Sequence, residues 1–181
     1  STLMRSSAAS DVYKRQFLIC GIILLIGSIT FVIYRMFFAD IWSKNADKLN
    51  RNLCKYEIKK GESVYVGDIR ADIPFEWDTL YTFKPDVSIE KIYEVVGYKW
   101  DKITKATNKG MNQLVFLKDG QVVCYVYGFP RARKVFFDFG DYDGEYFTLT
   151  SNDVLNMNMS MNKKGIRTFE YVNPEKLDKN S

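Results

Sequence analysis

The sequence predicts an α+β fold: one N-terminal transmembrane helix followed by a mostly antiparallel β-sheet domain with one packed helix. Three observations predict it. Residues 17–38, FLICGIILLIGSITFVIYRMFF, are apolar as far as Tyr34 and carry no charge before Arg35. Beyond them, short alternating or β-rich runs are punctuated by turn residues. Among those runs, 88–97 has the apolar spacing and capping residues of a helix.

Residues 1–16 stand apart. The stretch 6–16, SSAASDVYKRQ, reads as a translated sequencing adapter, so 1–16 are expected to be adapter-derived and not native, with the natural N-terminus missing. Setting aside Arg5, Lys14, Arg15 and Asp11 takes the formal charge of +4 down by two. A near-neutral chain gives no electrostatic case for nucleic acid as a partner.

A helix rises ~1.5 Å per residue, so about 20 apolar residues cross a ~30 Å hydrocarbon core, as 17–38 would. A soluble-core helix is rarely apolar on every face for so long. The lipid bilayer is therefore the expected partner of 17–38. Cys20 follows Ile19 near the start of the run, where a lipidated cysteine does not sit, and Met36, Phe37 and Phe38 make a poor cleavage site before Ala39. A retained single-pass signal-anchor is expected. Orientation divides the signals. Arg35, Lys44, Lys48, Arg51 and Lys55 favour a cytoplasmic side for the C-terminal domain, whereas large C-terminal domains translocate largely regardless of charge. The expectation is a cell-membrane protein whose C-terminal domain is extracytoplasmic.

Residues 39–55 are expected to form a polar helical neck continuing the anchor into water, with Ile41, Trp42, Leu49 and Leu53 as its apolar positions. The globular domain is expected over 56–175, and a disordered tail over 176–181. Within the domain, 56–66 reads as two extended pieces about Lys60-Gly61. The run 75–84, FEWDTLYTFK, reads as a strand with Phe75, Trp77, Thr79, Tyr81 and Phe83 on one face and Glu76, Asp78, Leu80 and Thr82 on the other. Pro85 ends it. Ser88 caps a helix whose Ile89, Ile92, Tyr93 and Val96 share a face, and Gly97 closes it. The runs 114–117 and 122–127 flank Asp119-Gly120, a two-residue hairpin turn, and are apolar enough for central strands. Further strands are expected at 133–139, 146–150, 154–161 and 166–172, with an acidic loop at 141–145 and a turn at Lys163-Lys164-Gly165.

The chain contains no histidine. That removes Ser-His-Asp and Cys-His catalysis, the commonest general base and the usual zinc and haem ligands. No phosphate-cradling glycine motif is present. No catalytic residue, cofactor or metal is therefore assigned, although carboxylates such as Glu76, Asp78 and Asp101 keep a histidine-free enzyme acting on envelope polymers open as an alternative. Asp138, Asp141, Asp143 and Glu145 loosely match the opening of a calcium loop, but Asn152 stands where its last glutamate belongs, so a solvated turn fits better. Met157, Met159 and Met161 share a strand face, as core filler or as soft-metal ligands. Cys54 and Cys124 are either one disulfide or two buried thiols.

An aromatic groove beside Trp77, Tyr81 and Trp100 is the natural contact surface for an envelope protein partner. Arg131 and Arg133 are either an edge-strand charge guard or a contact for anions. A cytoplasmic reading, with the basic neck lying on anionic lipid, also stays open.

The pattern W-D-x-x-Y-x-F, here Trp77, Asp78, Tyr81 and Phe83, is followed by Pro85, a helix, and then Val115-Phe116, Asp119-Gly120 and Val122-Val123. Over 75–130 this resembles a loose group of small bacterial membrane-anchored envelope proteins. The group implies an anchored domain and no established activity. Together these readings point to a binding or interaction module without catalytic activity, inhibitor or immunity-like.

Overall fold

The computed structural model describes residues 5–38 and 41–173, which fall into two compact units divided between Asp40 and Ile41. The predicted tail 176–181 and positions 39–40 of the predicted neck lie outside the described residues.

The first unit is one helix, α1 (Arg5–Phe38). Its segment Tyr13–Ile33, 21 residues, is long and apolar enough to cross a membrane, and none of it is buried against protein. Its two hydroxyls in the apolar run are satisfied internally: Ser28 and Thr30 donate 2.8 Å bonds to the Leu25 and Ile26 carbonyls respectively. Hydrocarbon would demand that arrangement.

The second unit runs α2 (Ile41–Leu53), β1 (Ser63–Asp68), a 3-10 turn (Ile69–Asp72), β2 (Thr79–Phe83), α3 (Ile89–Val96), β3 (Asn112–Lys118), β4 (Gln121–Gly128), β5 (Val135–Asp138), β6 (Tyr146–Thr150), β7 (Asn156–Met161) and β8 (Arg167–Tyr171). The strands form two four-stranded sheets, ordered β1-β7-β8-β5 and β4-β3-β2-β6. All pairings are antiparallel except β5 with β8. The class is α+β and mostly antiparallel, as the sequence predicts, but with two sheets where the run of strands suggests one. The chain changes sheet after β1, β4, β5 and β6, so only β3–β4 and β7–β8 are hairpins.

Local signals explain the elements that the sequence shows best. Ser88 Oγ accepts the Lys91 N–H at 3.1 Å, and Gly97, at φ 91°, ends α3 in the left-handed region. Asp119 and Gly120 both have positive φ, 50° and 70°, as a type I′ hairpin turn requires. Alternation along β3 sends Leu114 and Phe116 into one core and Val115 and Leu117 into another. Burial on both faces is why its arms are apolar throughout.

The larger core lies between the sheets, where Leu80, Leu114, Phe116 and Val126 meet Met157, Met159 and Phe169. The smaller one joins Ile92 and Val96 of α3 to Phe83, Val115, Leu117 and Tyr125. Every residue of both cores lies at position 42 or beyond.

Two expectations are corrected. Within the predicted neck 39–55, residues 41–53 do not stand in water, because α2 buries Asn45, Ala46, Leu49 and Leu53 in the domain. Its Asn45 Nδ2 donates a 2.9 Å bond to the Val123 carbonyl of the edge strand β4, which covers that edge. The 75–84 strand is also shorter, starting only at Thr79. Asp78 redirects the chain: its N–H donates to Leu117 O at 2.7 Å and its carbonyl accepts the Ser151 N–H at 2.9 Å. Before it, Phe75 and Trp77 turn to the inter-sheet core and pack edge-on against Phe116 at 5.4 and 5.6 Å. Tyr81 and Phe83 join the opposite core.

Candidate functional site

The outer face of the second sheet is open along β2 and β6. Register places Thr79 beside Thr150, Tyr81 beside Thr148 and Phe83 beside Tyr146. Tyr146, Thr148 and Thr150 are exposed, while Thr79 and Tyr81 are half-buried. Tyr146 stands edge-on to Tyr81, centroids 6.0 Å apart at 71°, and 6.1 Å from the buried Phe83. The result is a strip of two tyrosines and three threonines on a rigid two-stranded platform, floored by Phe83.

The rim near α3 is charged. Lys91 pairs with Glu94 at 3.0 Å. The hydrogen bond to Glu94 holds the ammonium above its ordinary range, with Glu145 and Tyr146 adding to the effect. Tyrosine rings at a surface offer contact area and a hydrogen-bonding tip at low entropic cost. The side chains of the strip, tyrosines and threonines, offer ring surface and hydroxyl groups.

The structure does not bring the five predicted binding residues together. Trp77 is 8% exposed and lies in the inter-sheet core, so the groove expected beside it is absent. Trp100 is half-buried and packs on Trp42 and Tyr125, at 5.4 and 5.5 Å. Arg133 is bound to Asp47 of α2, and Arg131 is exposed at the surface. Of the five, Tyr81 alone lines the open strip. Tyr146, Thr148 and Thr150 are site residues that reading the sequence misses. Their signal is the alternation in YFTLT, whose meaning depends on pairing with β2.

Cys54 and Cys124 are free thiols here, not a disulfide. Cys54 Sγ lies 3.8 Å from the Arg133 carbonyl, and burial pushes the Cys124 thiol far above its ordinary value. Met157 and Met159 are wholly buried and Met161 nearly so, all as core. Among the described residues, no three His, Cys, Asp or Glu side chains gather to hold a metal. Asp138 Oδ1 instead accepts the Gly140 N–H at 2.9 Å.

Two carboxylates of the enzymatic alternative, Asp78 and Asp101, are held in ion pairs. Asp78 bonds Lys118 Nζ at 2.8 Å and the Asp119 N–H at 2.7 Å, and these bonds hold it below the usual carboxylate range. Asp101 pairs with Lys102 at 3.1 Å. Asp68 and Asp153 are likewise shifted down, chiefly by hydrogen bonds from Arg70 and Thr150 respectively. A general acid needs the opposite shift. A cavity of about 10 Å³ beneath α2, lined by Leu49, Leu53, Val126 and Arg133, has room for about one water and none for a substrate.

Compared with family models, with curated proteins and with solved structures, the chain finds no match that would show kinship, so its function rests on the surfaces just described.

Proposed function

We propose that this is a membrane-anchored, extracytoplasmic interaction module of the bacterial cell envelope, without catalytic activity and inhibitor or immunity-like in kind. The observation that carries it is the Tyr81–Tyr146 strip, an aromatic and hydroxyl surface in which the exposed Tyr146, Thr148 and Thr150 of the edge strand β6 lie beside the half-buried Thr79 and Tyr81 of β2. The helix Tyr13–Ile33 supplies the anchor. An envelope protein is the partner that such a surface fits. Of the carboxylates named for the enzymatic alternative, Asp78 is held ionised by Lys118 and the Asp119 N–H, which does not suit a general acid.

The test is a photo-crosslinking amino acid placed at Thr148 in the full chain, expressed in bacterial cells, with the same probe at Lys164 as control. The proposal expects one discrete adduct from position 148, lost when Tyr146→Asp is added. No adduct at 148, or the same adducts from both positions, would sink it.

A second reading places the domain in the cytoplasm. Lys44, Lys48 and Arg51 all follow the span within about 20 residues, the range over which positive charge marks the cytoplasmic side. Protease accessibility separates the two.

A further inference from the structure

The solvent face of α2 is a row of cations. Lys44, Lys48 and Arg51 fall within a sector of about 60° at 3.6 residues per turn, and Lys55 continues the row just past the helix end. All four are exposed. None is in an ion pair among the described residues, whereas Arg70, Lys91, Lys102, Lys105, Lys118 and Arg133 each have an acidic partner. Asp47 is the one acid between Ile41 and Leu53, and Arg133 neutralises it. The apolar face of the same helix is committed to the core through Ala46, Leu49 and Leu53. It cannot sink into lipid as an amphipathic helix would, so the row can act only by charge.

From these observations we propose that the row Lys44, Lys48, Arg51 and Lys55 binds the anionic headgroups of the membrane to which α1 ties the chain. The proposal rests on Tyr13–Ile33 being a membrane span, but not on which side the domain occupies. Charge complementarity identifies the occupant: a compact row of unneutralised cations suits a surface of phosphate headgroups. Tethering favours the same occupant. Eleven residues from Ile33 to Lys44 keep the start of the row within about 40 Å of the span even when fully extended, so headgroups are present at high effective concentration. Each cation near an anionic surface strengthens association roughly fivefold, and four together on the order of several hundredfold. Screening by salt, with a Debye length of about 8 Å at physiological strength and 3 Å at 1 M, should erase it.

The test uses the full chain in nanodiscs of phosphatidylcholine alone or with one third phosphatidylglycerol. Amine-reactive labelling of lysines is followed by mass spectrometry. Labelling of Lys44 and Lys48 is expected to slow several-fold in the anionic discs only, to recover in 1 M salt, and to leave the exposed Lys109 unchanged. Equal rates in both discs would overturn the proposal and leave the row to an acidic protein. Equal slowing in both discs, insensitive to salt, would mean shielding by bulk and would also overturn it. A chain that fails to enter either disc removes the anchor reading itself, and this proposal with it.

Discussion

The side-chain amide of Asn112 in β3 accepts the backbone N–H of Phe137 in β5 at 3.0 Å and thereby joins the two sheets. The same amide donates to the Val135 carbonyl at 2.9 Å. β5 is an edge strand paired with β8 on one side only. Asn112, itself 3% exposed, satisfies two of its remaining backbone groups. Buried backbone groups left without partners cost about 1–3 kcal/mol each.

Asn112→Ala should therefore lower unfolding free energy by about 2–4 kcal/mol, since it strands both groups at once. Urea denaturation of the full chain in detergent micelles, read by the signal of the domain beyond Ile41, would measure it. A change under ~0.5 kcal/mol would mean that water replaces the amide at no cost.

Trp77 and Tyr146 should behave as opposites. Trp77→Ala empties a site against Phe116 in the inter-sheet core and should cost about 3–5 kcal/mol. Tyr146→Ala removes a ring that is 38% exposed and should cost about 1 kcal/mol or less. Thermal unfolding of the two variants would separate core from surface.

The two cysteines beyond the span should stay reduced. Cys124 is wholly buried with its thiol pKa raised, which suppresses the reactive thiolate. Intact mass of the folded domain under mild oxidant should show no loss of two hydrogens, and thiol labelling should reach Cys54 before Cys124. A Cys54–Cys124 bridge found by peptide mapping would contradict this arrangement.

Stability should fall at both pH extremes, for different groups. Hydrogen bonds hold Asp68, Asp78 and Asp153 below the ordinary carboxylate value of 3.8. A depressed carboxyl stabilises the fold above its unfolded pKa, and that contribution disappears as pH falls through the folded value. Burial, with the bond to Asp72, pushes the Tyr56 phenol from 10.0 to about 12. A raised phenol contributes fully below pH 10 and loses that contribution as pH rises toward 12. Tyr56→Phe should flatten the alkaline limb of a stability–pH profile, and Asp78→Asn the acid limb.

What the sequence shows of the fold is what short-range chemistry controls. Ser88 and Gly97 bracket α3, and Asp119-Gly120 turns the hairpin, because capping and positive φ are decided by a few neighbouring atoms. The exchange of strands between two sheets depends on pairings such as β5 with β8 that no local signal encodes. Alternation puts Trp77 on the wrong face because it holds only inside a ladder, and the chain bends at Asp78 before the ladder begins. α2 reads as a solvated neck because its inward face uses Asn45 and Ala46, neither of them strongly apolar. The open strip is half legible: Tyr81 stands out in the sequence, while Tyr146 acquires meaning only when β6 pairs with β2.

The most direct test of an anchored, extracytoplasmic domain is protease accessibility of the full chain in intact bacterial cells, or in spheroplasts where an outer membrane intervenes, with lysed cells as control. The account predicts degradation of the domain beyond Ile41 in the intact sample, with the Tyr13–Ile33 segment retained in the membrane. Protection of the domain until lysis would contradict it and place the Tyr81–Tyr146 strip in the cytoplasm.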